Sequence, residues 1–145
     1  MNKVAYVSMC RAKKHTKPLP AQQLYIGEYY SMLKKHKDAH VDVFILSAEH
    51  GLISGDTIIS PYETKMTSER FEILKGGGRI KQMVETLGPY EKVMVNAGQE
   101  YLELLKLTGL KNLIFPPFLR KRRIIKDFLI EHSPKDNSQK RIFDG

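Results

Sequence analysis

Short apolar segments alternate with amphipathic helical segments along this chain, and that alternation restricts the fold more than any other feature. Four segments have the β-branched and aromatic composition typical of strands: residues 3–9, 41–47, 91–96 and 112–115. Helical patterns fill the gaps over residues 21–37, 99–107 and 118–132, and from a Thr67 cap through a segment that Gly76–Gly78 should break in two. The order predicts one α/β domain over residues 1–133, with a four-stranded, mostly parallel sheet and helices on both faces. The polar residues 134–145 are expected to form a flexible tail.

Polar loops follow three of the predicted strands. They are residues 8–14, 47–51 and 96–99. Because the carboxyl ends of parallel strands lie at one edge of a sheet, we expect these loops to form a single site. Residues 52–66 should be a long irregular segment containing Gly55 and Pro61, and a loop of that length in a small domain is more often functional than accidental.

Composition restricts the partner and the compartment. The formal net charge is +8 and the sequence pI is near 9.5, which favours a polyanionic partner such as a nucleic acid or nucleotide, although a basic surface can also serve solubility alone. No apolar run approaches the roughly 20 residues that span a bilayer, and the N-terminus lacks a signal-peptide pattern. The single cysteine excludes an intrachain disulfide. We therefore expect a cytoplasmic protein without membrane contact.

The first loop combines a hydroxyl, a thiol and several cations directly after a strand. Ser8, Cys10, Lys13 and Lys14 are candidate substrate-binding residues, and Arg11 is a candidate nucleic-acid contact. Lysine charges and backbone N–H groups in such a loop can hold a phosphate. The loop lacks the glycine spacing of a P-loop. Cys10 is either a small buried apolar residue or, if exposed beside the cations, a nucleophile of lowered pKa.

The second loop contains the candidate catalytic residues. Glu49 and His50 can act as general acid or base, and Ser47 and Gly51 would bind substrate beside them. The alternative for His50 is a structural hydrogen-bonding role.

The corner after Pro61 offers a third candidate catalytic residue, Glu63, together with Tyr62. Tyr62 would stack on a base and Glu63 would contact a base edge or a ribose hydroxyl. Alternatively, Tyr62 packs under the loop and Glu63 is solvated.

The third loop and the last helix complete the candidate residues. Asn96 and Gly98 would supply an amide and a close backbone approach, or else form a simple turn. Arg120, Lys121 and Arg123 are candidate nucleic-acid contacts, or else the solvated start of a helix. Neither the histidines nor the one cysteine have the spacing of a structural zinc site, so we expect no metal and no cofactor.

The motifs of the first two loops resemble those of the YaaA peroxide-stress proteins and of a group of short uncharacterised relatives. The resemblance covers about the first 105 residues. It rests on Leu46–Ile53 followed by Ile58, Pro61, Tyr62 and Met66, on Ser8, Cys10, Lys13 and Lys14, and on Pro20, Ala21, Leu24 and Tyr25. His50 stands where YaaA proteins usually have tyrosine. A looser likeness to uracil-DNA glycosylase-like domains accompanies it. The resemblance implies a Rossmann-like or uracil-DNA-glycosylase-like fold and the handling of nucleic acid or nucleobases.

Three functional hypotheses follow from these residues. The first is a nucleic-acid- or nucleobase-processing enzyme, such as an N-glycosidase or a base-modifying enzyme, in which Glu49 or Glu63 orients water and stabilises an oxocarbenium-like sugar. The second is a non-catalytic DNA-binding stress protein. The third is an enzyme acting on free nucleotides or nucleosides.

Overall fold

The computed structural model describes residues 2–134. Its strands are β1 (Val4–Met9), β2 (Leu19–Pro20), β3 (Asp42–Ser47), β4 (Gly51–Ser54), β5 (Ile58–Ile59), β6 (Lys92–Asn96) and β7 (Leu113–Ile114). Its α-helices are α1 (Ala21–Leu24), α2 (Glu28–Lys35), α3 (Ser68–Lys75), α4 (Arg79–Leu87), α5 (Gln99–Lys106) and α6 (Lys121–Glu131). A 3₁₀ turn at Phe118–Arg120 precedes α6.

The strand β1 lies at the centre of a five-stranded sheet with the order β4-β3-β1-β6-β7. It pairs in parallel with β3 on one side and with β6 on the other, and β7 pairs in parallel with β6. Strand β4 is the exception, because it folds back antiparallel on β3. Strands β2 and β5 form a separate antiparallel pair. The chain is therefore a single α/β domain with a mostly parallel sheet.

Two apolar cores lie on opposite faces of this sheet. Alternate β1 residues supply them, with Val4 and Tyr6 in one core and Ala5 and Val7 in the other. Residues of α1, α2 and α6 complete the first core, and residues of α3, α4 and α5 complete the second. A strand covered on both faces is apolar throughout, which explains why β1 reads as a continuous apolar run. The prediction of helices on both faces is confirmed.

The predicted strands at 3–9, 41–47, 91–96 and 112–115 are confirmed within three residues, but the prediction of only four strands is wrong. The segment after Ser47 forms a β-hairpin, so residues 52–66 are not irregular throughout. Gly51 begins the returning strand with a φ of +72°, and Gly55 extends the pairing beyond the end of that strand by donating its N–H to the Val43 carbonyl. This pairing adds the antiparallel fifth strand.

The predicted helix over 21–37 is also wrong as one element, because the chain breaks between Leu24 and Glu28. The backbone of this break bonds to the first loop. His15 N–H donates to the Leu24 carbonyl and Ile26 N–H donates to the Lys13 carbonyl. These bonds replace helical ones and attach the first loop to the helical layer.

The Thr67 cap and the glycine break are confirmed. Thr67 Oγ1 accepts a hydrogen bond from Arg70 N–H at 3.1 Å, which starts α3. Gly77 and Gly78 take positive φ values between α3 and α4. The helix predicted over 118–132 forms as the 3₁₀ turn followed by α6.

The predicted tail lies almost wholly outside the described residues. Within residues 2–134, none of the helices has the length and apolar character needed to cross a membrane.

Gly51→Ala should lower the free energy of unfolding by about 1–2 kcal/mol, because an L-residue is strained at a left-handed φ. The matched control is Gly76→Ala, whose φ is −95° and whose added Cβ would lie 3.7 Å from the nearest atom. That control should change stability by no more than about 0.5 kcal/mol. Urea denaturation measures both, and equal effects would contradict the assignment of strain to Gly51.

Candidate functional site

Three buried polar side chains mark the carboxyl ends of the three central strands. Ser8 ends the buried part of β1, Ser47 ends β3 and Asn96 ends β6, with exposed fractions of 1%, 0% and 3%. Ser8 lies opposite Asn96 of β6 on one side and opposite Ile45 of β3 on the other. Because Ser47 is two residues after Ile45, Ser8, Ser47 and Asn96 lie on the same face of the sheet. The predicted convergence of the strand-end loops is therefore present at this edge.

Tyrosine hydroxyls surround these polar side chains. Asn96 Nδ2 donates to the Tyr6 hydroxyl at 3.0 Å, and the Tyr30 hydroxyl donates to the Met9 carbonyl. Ser8 Oγ lies beside the Tyr6 and Tyr30 hydroxyls but has no partner of good hydrogen-bond geometry among the described residues. A buried hydroxyl without a partner is costly, so Ser8 offers a free polar group inside the site.

A second hydroxyl chain joins the helical layer to the second loop. The Tyr25 hydroxyl bonds to the Tyr62 hydroxyl, which lies 2.6 Å from Ser47 Oγ. Ser47 Oγ in turn accepts the N–H groups of Glu49 and His50, each at 3.1 Å. The Ser47 side chain therefore fixes the start of the Glu49–His50 turn and links it to two tyrosines.

Burial raises the pKa of these phenols above its ordinary value. Removal from water raises the pKa of Tyr25 to about 12 and is the largest cause of the raised pKa values of Tyr6, Tyr30, Tyr62 and Tyr101. A neutral phenol has an O–H to donate, so the site contains several hydroxyl donors at physiological pH.

Cys10 lies between the first and second loops. Its Sγ is 3.0 Å from the Tyr101 hydroxyl, and Ala48 N–H approaches it at 3.5 Å. The backbone N–H of Cys10 donates to the Leu46 carbonyl at 3.0 Å. The half-buried thiol packs against both cores, as the small-apolar interpretation expects, yet it also contacts polar groups of the site.

Arg70 clamps the backbone of the second loop. Its Nε donates to the Ala48 carbonyl, and its Nη2 donates to the Glu49 carbonyl at 2.6 Å. The Glu49 carboxylate accepts a hydrogen bond from the Thr64 hydroxyl. Glu49 is half-buried, whereas His50 is exposed. The Glu49 carboxylate and the Glu49 carbonyl both accept hydrogen bonds from side chains, whereas the His50 ring makes an aromatic contact.

Tyr62 packs beside the second loop. Lys14 Nζ lies 4.6 Å from the centre of the Tyr62 ring and 5.7 Å from that of Tyr25. The ring of His50 meets the Tyr62 ring edge-on, with the centres 5.3 Å apart. The Tyr62 hydroxyl points inward to Ser47, as expected if Tyr62 packs under the loop. The same contacts bring Lys14 and His50 together with Ser47.

The structure places other predicted residues at the rim or outside the site. Lys13 and Glu63 are exposed. Gly98 N–H lies 3.0 Å from Met9 Sδ, and a Cβ at Gly98 would come within 3.5 Å of that sulfur, so the third loop closely approaches the first. Arg11 lies over Gly27, with its guanidinium 3.4 Å from where a Cβ would be.

The basic run does not form one uniform surface. Arg122 pairs with Glu28 of α2, and the exposed Arg123 lies 3.8 Å from Asp127. Lys121 is partly buried, with Nζ 6.0 Å from the centres of the Tyr29 and Phe118 rings, and burial lowers its pKa. Arg120 is exposed.

Several residues of the site escaped the sequence interpretation. On sequence alone, Tyr25 belongs only to the residues that carry the family resemblance, and no role is expected for the Arg70 side chain. Tyr30, Thr64 and Tyr101 were not singled out. The available signal was the tyrosine content, because five of the seven tyrosines contact this site: Tyr6, Tyr25, Tyr30, Tyr62 and Tyr101.

Two cavities flank the sheet. A groove of about 540 Å³ reaches Tyr25 and Tyr30 from the side of α1 and α2 and is also lined by Gly27. A cavity of about 380 Å³ lies at the opposite edge around Asp42, whose carboxylate accepts hydrogen bonds from Asn2 and the Tyr90 hydroxyl. Only the first cavity adjoins the polar cluster. Within residues 2–134, His, Cys, Asp and Glu side chains do not gather in threes as a metal centre would require.

Fold and site together define a basic α/β domain with a hydroxyl-rich polar cluster at the carboxyl edge of its sheet. Residues 4–116 match the model of a family of unknown function, DUF6884, and the chain belongs to that family. The matched region contains all seven strands and all three strand-end loops. Neither the curated proteins nor the solved structures include a match.

Arg70→Ala should lower the free energy of unfolding by about 1–3 kcal/mol, because two loop carbonyls lose their charged donor. It should also speed amide hydrogen exchange at Glu49 and His50. Lys75→Ala is the control, since it removes an exposed pair with Glu72 and a 6.0 Å approach to the centre of the Phe71 ring, and it should cost less than about 0.5 kcal/mol. Unchanged exchange in Arg70→Ala would show that the clamp does not order the loop.

Stability should fall at alkaline pH. A phenol whose pKa is raised in the fold stays protonated there while the unfolded chain ionises near the ordinary value of 10.0, so proton loss favours unfolding. The contribution of these phenols to the free energy of unfolding should be constant below about pH 9 and fall as pH rises above about 10. Above about pH 10, the free energy of unfolding should fall less steeply in Tyr62→Phe than in Tyr29→Phe. Urea denaturation across this range tests it, and identical pH profiles for the two variants would contradict it.

Proposed function

We propose that this protein processes nucleobases in nucleic acid at the carboxyl edge of its sheet, with N-glycosidase or base-modification activity. The observation that carries the proposal is the fixed position of Glu49. Thr64 holds its carboxylate, Arg70 holds its backbone, and Ser47 ties its N–H to the buried hydroxyl cluster. A carboxylate held in one place beside neutral hydrogen-bond donors suits the stabilisation of positive charge on a sugar.

The reaction would replace a carbon–nitrogen bond with a carbon–oxygen bond. The bond between the sugar C1′ and the base nitrogen breaks with its electrons going to the base, and water adds to C1′. One proton of that water passes to Glu49, which later releases it to solvent, and the departing base takes up a proton from solvent, so that the net change is the addition of one water across the bond. The Ser8 hydroxyl, which has no hydrogen-bond partner among the described residues, would donate to a carbonyl oxygen of the base, where negative charge develops.

The first loop supports recognition of phosphate. Lys14 lies against Tyr62 and Tyr25, Lys13 is exposed, and Arg11 packs beside Gly27. These cations border the polar cluster, so a phosphate held by them would bring its sugar toward Glu49. The net charge of +8 agrees with a polyanionic substrate.

Kinship with the YaaA proteins and a Rossmann-like or uracil-DNA-glycosylase-like classification of the fold form part of the same proposal. The mostly parallel sheet, with its polar strand-end loops, is consistent with both. The motif residues Ser47, Glu49, Tyr62 and Cys10 contribute to the site through the contacts described above.

A second candidate is an enzyme acting on free nucleosides or nucleotides. The groove of about 540 Å³ beside Tyr25 and Tyr30 favours it, since that volume is within the range that accommodates a small organic ligand. Turnover of free nucleosides without affinity for oligonucleotides would select this candidate. A non-catalytic DNA-binding protein would instead bind oligonucleotides and release no base.

Glu49→Gln should lower base release from oligonucleotide substrates by about 100-fold or more, because the neutral amide cannot take a proton or stabilise a cationic sugar. Glu63→Gln, at an exposed position, is the matched control and should retain turnover. Chromatographic detection of the free base measures both, and thermal unfolding confirms that both variants fold. Full turnover in Glu49→Gln would remove Glu49 from the mechanism, and loss in Glu63→Gln alone would transfer the role to Glu63.

A further inference from the structure

An exposed apolar turn next to the basic run is the second notable surface of this molecule. Phe118 and Leu119 are 84% and 93% exposed, the highest values of any large hydrophobic side chain among residues 2–134. They occupy the 3₁₀ turn that follows Pro116 and Pro117. Exposed apolar side chains in adjacent positions are typical of contact surfaces.

Cations surround this turn on the side of α6. Arg120 is exposed, Lys121 Nζ lies 6.0 Å from the centre of the Phe118 ring, and Arg122 pairs with Glu28. The first turn of α6 has no acidic residue and no side-chain cap. Positive charge at this end of a helix is unfavourable, and a bound polyanion would offset that cost.

The cations extend from this turn toward the candidate site. Arg122 contacts Glu28, the neighbouring Gly27 lies under the Arg11 guanidinium, and Lys14 in the same loop covers the Tyr62 ring. We name this series the basic band and define it as Arg120, Lys121, Arg11 and Lys14, because the charge of Arg122 is paired with Glu28. The band joins Phe118 to the polar cluster.

We propose that Phe118 and the basic band bind single-stranded nucleic acid and direct it toward the strand-edge site. This inference rests on the proposed function and specifies its substrate as a single strand. An aromatic ring stacks on an unpaired base while neighbouring cations neutralise the phosphates. A duplex keeps its bases stacked on one another, so it would use the cations but leave the Phe118 ring without a partner.

The binding test uses the full chain and a fluorescent thymidine oligonucleotide of about 15 nucleotides. Phe118→Ala should weaken binding by about tenfold or more, because it removes one stacking contact. Phe118→Leu should weaken it similarly, since it keeps apolar area without a ring, and Phe118→Trp should retain it. The control is Leu107→Ala, which removes an exposed apolar side chain at the end of α5.

The salt dependence of oligonucleotide binding distinguishes the contribution of the Phe118 ring from that of the cations. Arg120→Ala should reduce the slope of log affinity against log salt concentration by about 0.7, the contribution of one phosphate contact on a single strand. Phe118→Ala should leave that slope unchanged, and the exposed control Lys81→Ala should alter neither affinity nor slope.

Four outcomes would overturn the inference. Oligonucleotide binding could be unaffected by Phe118→Ala, or a duplex of the same length could bind equally well and show the same losses. Phe118→Leu could retain full oligonucleotide affinity. Phe118→Ala could instead abolish binding to phosphatidylcholine–phosphatidylserine vesicles while leaving oligonucleotide binding intact, which would assign the turn to a membrane surface. If Glu49-dependent base release from duplex oligonucleotides persists while single-strand binding fails, this inference falls and the proposed function survives. If the Phe118 variants weaken single-strand binding as expected but no base is released, this inference survives and the proposed function fails.

Discussion

The parallel pairing of β1 with β3 and β6 is the constraint on which the rest of the structure depends. Because β1 is covered on both faces, its side chains must be apolar up to the edge of the sheet, and polar groups can enter only where the strands end. Ser8, Ser47 and Asn96 lie at those ends, and the parallel register brings them to the same face. The position of the site therefore depends first on strand direction and only secondarily on the sequence of any one loop.

That dependence explains what could be predicted from the sequence. Strand β1, the capped start of α3 and the glycine break between α3 and α4 each follow from local composition or from residues close in sequence. The convergence of the three loops follows from strand direction alone. The hairpin formed by β4 was missed because its pairing with β3 depends on a positive φ at Gly51 and a tight approach of Gly55 to Val43, which no periodicity records. The break after Leu24 was missed because its hydrogen-bond partners lie in the first loop.

Side-chain direction was the part of the site that the sequence could not supply. Arg70 occupies the third position of α3, and nothing in its neighbours indicates that its guanidinium reaches back about 20 residues to Ala48 and Glu49. Tyr25 and Tyr30 look like ordinary members of an apolar helix surface, yet their hydroxyls reach Tyr62 and the Met9 carbonyl. Tyrosine conceals such roles because most of its side chain is apolar and packs as a core residue would.

The tyrosine cluster also determines which kind of ligand the site can favour. Its hydroxyls are buried, so the free energy of their hydrogen bonds depends on partners at fixed positions rather than on water. Most of these hydroxyls have hydrogen-bond partners within the protein, as Tyr62 does with Ser47, whereas Ser8 Oγ has none among residues 2–134. The unsatisfied hydroxyl and the neutral donors around it favour a ligand with uncharged oxygen or nitrogen acceptors, while the cations of the first loop favour an anion a few bonds away. A nucleotide unit combines those two requirements, since its base carries neutral acceptors and its phosphate carries the charge. That combination, rather than the overall basic charge, is the physical reason for proposing a nucleotide unit instead of another polyanion.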